Sequence, residues 1–520
     1  MTKSGGRLVR YMQDDNEARW ATDEEIIGSQ NVLQIDIEND NCNGCGIPII
    51  SDGRKIYVDN GDTHTMIVGA TGSKKTRLIG MPTIGSIIMA GESFVTTDPK
   101  GELFQKTAPL ASAKGYDIFV LNLRNLAQSG RWNPLALPYQ LYHGGEREKA
   151  VSILNDLISV LVQPQIENTR DNYFAYHGSN LFLANALVFL ETASPEEANL
   201  KNFAEFCAKE STAEMIEEIR KYCADGSIAA INYSGELTNK TAQNTFGNIA
   251  SCMMLMLSPF IMNKSLCQVL SENCIDMGDI GKTKTAIYII VPDEKTTLHF
   301  LATLFVKQVY ESLIDFADRQ EDKKLHIRVN LVLDEFANIP KIQDIGTMLT
   351  ASRSRNMRFY LLVQGLRQIQ SRYGENDAHT IMGNCSNLIY LYSRELELLK
   401  EISELCGKRM KPDNRGEFRE IPLIAVTELQ QLKKERGEAL MMLSRNKPYV
   451  TELPDIDDYA FGAYPQILQN DSPLPEITRY SIDNVIAEIK KGERPLLFLE
   501  ETGEKQFFVE TKRNTDIFDW

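Results

Sequence analysis

Seven short apolar runs punctuate the chain: Met66–Val68, Ser93–Thr97, Tyr116–Leu123, Thr285–Val291, Val329–Glu335, Arg358–Gln364 and Asn387–Ser393. Most are rich in β-branched or aromatic residues and do not alternate with polar ones. Strands of a sheet covered on both faces have this pattern. Helical stretches separate the runs, which predicts a parallel α/β core. Between about 140 and 280 the pattern changes. Lys149–Val162 and Gly178–Ala193 are apolar at helical spacing, and Phe203–Ala224 alternates charge around an apolar face. Strand signal is scarce before Thr285, so an all-α unit is predicted inside the sheet domain. The expected divisions are 1–137 for an N-terminal segment with the first part of the sheet domain, 138–282 for the all-α insertion, 283–450 for the second part of the sheet domain and 451–520 for an acidic, aromatic tail. The tail has two readings, a segment that docks on a partner or one that packs on its own chain.

Composition narrows the classes. The chain has 520 residues, 43% hydrophobic and 24% charged, enough for two or three domains with real cores. Its net charge of −15 argues against nonspecific coating of nucleic acid but leaves room for a local basic channel. No apolar run reaches the ~18 residues that cross a bilayer. The first twenty residues are polar and lack the apolar centre of a secretory signal. Nine cysteines in this length read as reduced thiols of a cytoplasmic protein. Cys42 and Cys45 form a single CxxC with no second pair at matching spacing, so two thiols in a glycine-rich turn are expected rather than a zinc site. His64 reads as a polar strand end, and His177 receives no role.

The chemistry begins at Gly69-Ala70-Thr71-Gly72-Ser73-Lys74-Lys75-Thr76, followed by Arg77. This is nearly the phosphate-binding pattern G-x-x-x-x-G-K-[ST], with lysine where the second glycine belongs. A strand precedes it and a helical pattern follows, with Pro82 expected at the helix end or at a kink. In such a loop backbone N–H groups face the phosphates, Lys75 bridges the β- and γ-phosphates and Thr76 holds Mg²⁺. Lys74 cuts both ways. Its side chain can crowd the cradle that glycine leaves open, or its charge can attract the phosphates. The second motif is the run Val329–Leu333 ending in Asp334-Glu335. There a strand delivers Asp334 to the Mg²⁺ shell and Glu335 to the attacking water.

Further segments stand in a telling order: Ala18–Ile26, Val95–Phe104 ("VTTDPKGELF"), Arg131–Leu135, Ile289–Glu294, Leu333–Ile342 ("LDEFANIPKI"), Leu362–Gly374 and Met382–Leu391. Together they resemble the type IV secretion coupling proteins of the TraG/TraD kind, from about residue 18 to about residue 450. The resemblance implies a RecA-like ATPase with ATP and Mg²⁺ as cofactors, working as a homo-hexamer that passes DNA or a relaxase–DNA complex to the channel components. By that likeness Lys75, Glu335 and Gln364 carry catalysis, with Gln364 sensing the γ-phosphate, and Asp98 and Lys100 lie at the same sheet edge. An arginine finger is expected from a neighbouring subunit, with Arg353, Arg355 and Arg394 as candidates. The basic cluster Ser352–Arg358 could also be a solvated loop. Family members usually begin with membrane-spanning helices. The absence of one here implies a cytoplasmic protein, attached to the membrane, if at all, through an anchoring partner. Two alternatives stay open: a hydrolysis-deficient, nucleotide-gated receptor for cargo, and a DNA translocase of the FtsK/HerA kind unconnected to secretion.

Overall fold

The computed structural model describes residues 18–168, 172–208, 214, 243–412, 418–467, 469 and 471–491. Of the helix predicted over Phe203–Ala224, residues 203–208 belong to the described helix Leu200–Ala208 and residue 214 is described; residues 209–213 and 215–224, the first seventeen residues and the terminal Thr515–Trp520 lie outside the described residues.

Strands are numbered in chain order: β1 Val32–Asp36, β2 Ile47–Ser51, β3 Lys55–Asp59, β4 Thr65–Gly69, β5 Ser93–Asp98, β6 Asp117–Asn122, β7 Thr285–Ile290, β8 Val329–Leu333, β9 Met357–Val363, β10 Asn387–Tyr392, β11 Lys408–Pro412, β12 Phe418–Pro422, β13 Glu438–Leu443 and β14 Tyr449–Glu452. The central sheet has the order β14-β13-β10-β4-β9-β8-β5-β7-β6. From β10 to β6 all pairings are parallel, while β13 and β14 extend one edge antiparallel. Every residue of β4, β5, β7, β8 and β9 is buried, as parallel strands covered by helices on both faces must be. All seven predicted strands are present. Three elements the pattern did not suggest join them: a small antiparallel sheet β1-β3-β2, the exposed ribbon β11-β12, and the antiparallel edge pair β13-β14.

Between β6 and β7 the described chain is helical, with helices Arg147–Asn168, Tyr173–Thr192, Leu200–Ala208 and Gln243–Leu257 among them. They pack around Leu154, Phe182, Phe189, Phe203 and Met253, in a core continuous with one face of the sheet. Trp132 sits at that junction. Its ring meets Phe305 edge-on at 5.0 Å, and its indole N–H donates to Gln308 Oε1 at 3.1 Å.

The helix after β4 shows how the chain accommodates Pro82. Thr76–Gly80 form one wide turn in which the N–H of Met81 donates to the carbonyl of Thr76. Regular α-helix then runs over Met81–Ala90, with Pro82 in its first turn. Proline has no N–H to offer the preceding turn, and a widened turn removes the carbonyl clash it would otherwise cause. The segment after β14 is packed on the chain: Tyr459 is buried, and Ile482 and Val485 are fully covered.

Candidate active site

In a parallel sheet the carboxyl ends of all strands open on one edge, and ligands bind there. Here β4 ends in the phosphate-type loop, β8 in Asp334-Glu335, β9 in Gln364 and β5 in Asp98. Pairings Val68↔Val363 and Leu333↔Leu361 set these ends side by side.

Five predicted side chains converge. Lys75 is buried and its Nζ donates to Glu335 Oε1 at 2.6 Å. Thr76 Oγ1 donates to Asp334 Oδ2 at 2.8 Å. Gln364 Nε2 donates to Glu335 Oε2 at 2.9 Å, and Asn338 Nδ2 donates to the same oxygen at 3.1 Å. Burial lifts the Asp334 carboxyl to about 6, against the opposing pull of Lys75 and Thr76. Glu335 has φ 52°, a left-handed backbone unusual for a residue with a side chain.

The loop has the shape of a cradle. Ala70 N–H donates to the Tyr392 carbonyl at 2.9 Å, and Ser73 N–H to the Ala70 carbonyl at 2.9 Å. Gly72 has φ 80° with open space where a Cβ would stand, and the buried Ser73 Oγ has no hydrogen-bond partner. Thr71 and Gly72 are exposed at the tip. The open space at Gly72, the unpartnered buried Ser73 Oγ and the two hard oxygens of Thr76 and Asp334 fit a phosphate chain with Mg²⁺.

A family model described as "Type IV secretory system Conjugative DNA transfer" matches residues 17–413. The chain belongs to that family. Its relatives include VirD4 of Rhizobium radiobacter, 23% identical over 370 residues, covering 68% of this chain and 49% of the relative. The conjugal transfer protein TraG of Escherichia coli is 23% identical over 442 residues, covering 78% of this chain and 66% of TraG. The chain thus spans about half the length of the VirD4 proteins it matches. Among solved structures, the conjugative coupling protein TrwB in its unbound form superposes with a TM-score of 0.59 at 15% identity, covering 81% of this chain and 90% of that one. TrwB in complex with ADP and Mg²⁺ gives 0.57 at 15% identity, covering 78% and 87%. These likenesses establish the fold: a RecA-like NTPase sheet carrying an all-α domain.

Against the phosphate-loop pattern Lys74 is the departure, and the geometry shows what becomes of it. Its φ is 64°, so the backbone keeps the left-handed turn a glycine would take there, at a cost of about 1 kcal/mol. Its Nζ lies 3.1 Å from Asp455 Oδ2. Lys75 and Thr76 reach the acids of β8, while Lys74 and Arg77 reach the segment after β14. The lysine side chain is therefore turned away from Asp334 and Glu335.

The remaining candidates scatter. Asp98 is buried; its Oδ2 accepts the Phe104 N–H at 2.8 Å and so starts the helix Glu102–Ala113, with burial lifting its carboxyl to about 6. Lys100 is exposed. Arg353 pairs with Asp62 and Arg355 with Asp318, both ahead of β9 and thus at the sheet edge opposite the loop. Arg394 follows β10 at the loop's own edge, exposed, its Nε donating to Tyr392 Oη. The two CxxC thiols face different neighbours: Cys42 donates to the Gly44 carbonyl, and buried Cys45 lies between Glu92 and Arg358. Asn338, Gln368, Asp455 and Asp457 were not singled out from sequence. Asn338 stands three residues after Glu335 and Gln368 four after Gln364, helical offsets that could have flagged both. The two aspartates carried no such signal.

Proposed function

We propose that the chain is a coupling-protein ATPase, which binds ATP with Mg²⁺ and uses its hydrolysis to engage DNA or a relaxase–DNA complex and drive it towards a type IV secretion channel. The observation that carries this reading is the five-residue convergence Lys75–Glu335–Gln364 and Thr76–Asp334 at the carboxyl edge of the sheet. Thr76 and Asp334 would hold Mg²⁺, whose charge would offset that of the β- and γ-phosphates. Lys75 now spends its charge on Glu335. On ATP binding it would turn to the phosphates and stabilise charge developing there. Glu335 Oε1, released, would then accept a hydrogen bond from the attacking water. Gln364 and Asn338 hold the other carboxylate oxygen and so fix the direction of the base.

Homo-hexameric assembly and an arginine supplied in trans belong to the same proposal. In a ring of coplanar sheets a neighbour's arginine must lie at the height of the nucleotide, which favours Arg394 over Arg353 and Arg355. Among the described residues no helix is long and apolar enough to cross a membrane, and attachment through a partner protein is proposed.

The test is ATP turnover by the purified protein, with and without single-stranded DNA, for wild type, Glu335→Gln and Lys74→Gly. Turnover in the wild type that Glu335→Gln abolishes supports the motor. A silent wild type revived by Lys74→Gly would replace it with the nucleotide-gated receptor. Turnover indifferent to Glu335→Gln would refute the assigned chemistry.

A further inference from the structure

The segment after β14 makes contacts that nothing in the ATPase reading requires. Asp455 receives Lys74 Nζ at 3.1 Å and Arg77 Nε at 2.9 Å, and Arg77 Nη2 also reaches it. Asp457 receives Arg77 Nη2 at 2.5 Å and Lys106 Nζ at 2.6 Å. Two aspartates thus occupy the charges of two cations at the root of the phosphate loop, one of them the residue that replaces the loop glycine. Arg77, ahead of Lys74, holds the Asp455 carboxyl down to about 2, so it is ionised throughout the physiological range.

The same segment is pinned onward in both directions. Tyr459 stacks on Phe461, whose ring fills the space a Cβ on Gly85 would need, against the helix that follows the loop. Beyond it, Gln469 Oε1 accepts from Asn122 at the end of β6, and the Ser472 N–H donates to the Ala127 carbonyl. The Thr478 carbonyl accepts from Asn202 Nδ2 at 2.7 Å, and Tyr480 Oη meets Thr192 Oγ1 at 2.7 Å with its ring against Phe189. The described residues between 453 and 480 therefore lead from the phosphate loop along the carboxyl edge of the sheet to the all-α domain.

We propose that Asp455 is a positioning residue for nucleotide binding: it competes with the phosphates for Lys74 and Arg77, so that nucleotide occupancy loosens the strap formed by the described residues after β14 and is felt at the all-α domain. This rests on the nucleotide-binding reading of the loop. The physical basis is reciprocity. Three or four phosphate charges brought beside the loop attract the cations that now hold Asp455, and whatever weakens the strap on nucleotide binding must weaken nucleotide binding when the strap is intact. Lysine, a point charge on a flexible four-carbon stem, can make that exchange without moving the backbone. Couplings of this kind between sites are worth factors of about 5–150.

The experiment measures the affinity of a fluorescent ATP analogue with Mg²⁺ for the full chain, its Asp455→Asn and Asp455→Glu variants, and each of Lys74→Gly and Lys74→Gly/Asp455→Asn. Hydrogen exchange is followed on peptides covering 69–77 and 472–480. The expected result is about tenfold tighter binding for Asp455→Asn, wild-type affinity for Asp455→Glu, and a markedly smaller effect of Asp455→Asn when Lys74 is glycine. Nucleotide should raise exchange over 472–480 in the wild type and leave it unmoved in Asp455→Asn, which already exchanges faster there. Weaker or unchanged binding by Asp455→Asn, or an equal effect in both Lys74 backgrounds, would overturn the proposal while leaving the ATPase reading intact. Failure of nucleotide to protect 69–77 in any of the proteins would remove that reading, and this inference with it.

Discussion

His64 offers a stability test that the structure quantifies. It stands at the foot of the phosphate-loop strand, fully covered. Its Nδ1 accepts the Phe359 N–H at 3.1 Å, which puts the proton on Nε2, and Nε2 donates to the Leu349 carbonyl at 2.6 Å. One neutral tautomer therefore ties β4 to β9 and to the helix Ile345–Ser352. Burial, with Arg353 and Arg358 nearby and the Leu349 carbonyl and Asp62 opposing, lowers its pKa from 6.5 to about 4. Between those values the unfolded chain binds a proton that the folded chain refuses. Stability is then fully present above the unfolded value and drains away as pH falls towards the folded one. A shift of this size corresponds to about 3 kcal/mol in all, of which roughly 2 kcal/mol is lost between about pH 7.5 and about pH 5. The assay is urea unfolding, followed by circular dichroism, of the wild type and His64→Gln at both pH values. Glutamine keeps a donor and an acceptor but does not titrate, so other groups cancel in the difference. The stability advantage of the wild type should shrink by about 2 kcal/mol on acidification. An advantage that stays constant with pH would refute the buried neutral imidazole.

Other outcomes follow from the site and the packing. Glu335→Gln should cut ATP turnover by about 100-fold or more while nucleotide still binds, read by turnover beside a fluorescent-nucleotide titration. Thr76→Ala should weaken Mg²⁺ dependence of nucleotide binding far more than binding without metal, read by titrating Mg²⁺ at fixed nucleotide. Because burial lifts the Asp334 carboxyl to about 6, acidification from about pH 7.5 to about pH 5.5 should raise the Mg²⁺ concentration needed for half-maximal binding, and Asp334→Asn should flatten that profile. A Cβ at position 46 would stand 1.7 Å from the Asp59 carbonyl oxygen, so Gly46→Ala should cost about 1–3 kcal/mol, visible as a lowered melting temperature.

Strands buried on both faces announce themselves, because nothing polar interrupts runs such as Thr285–Ile290 and Met357–Val363. The edge elements were hidden for the opposite reason. In β11 every residue is exposed, so no apolar period marks it, and β14 contributes four residues beside a stronger neighbour. The phosphate loop and the acidic pair were legible because their chemistry is local in sequence. The fate of Lys74 was not, since its partner Asp455 lies far along the chain and acids in an acidic tail look like solvated charge. Pro82 was expected at a helix end or at a kink, and it does open the helix Met81–Ala90; the widened turn before it was not foreseen. Arg353 and Arg355 drew attention by composition alone. Their distance from the loop depends on which end of β9 they precede, which charge clustering does not reveal.

The pairing of β4 has a consequence for how the protein comes into being. Thr65 is registered with Tyr360 on one side and with Asn387 on the other, roughly 300 residues downstream. While the ribosome makes the chain, the loop strand has no neighbour to join until β9 and β10 emerge, after about 15–60 s of synthesis. The helical insertion, whose contacts are mostly among its own helices, can condense during that interval. Birth of the nucleotide site is thus the late event of folding, and the apolar strand that leads to it needs shelter from aggregation while it waits.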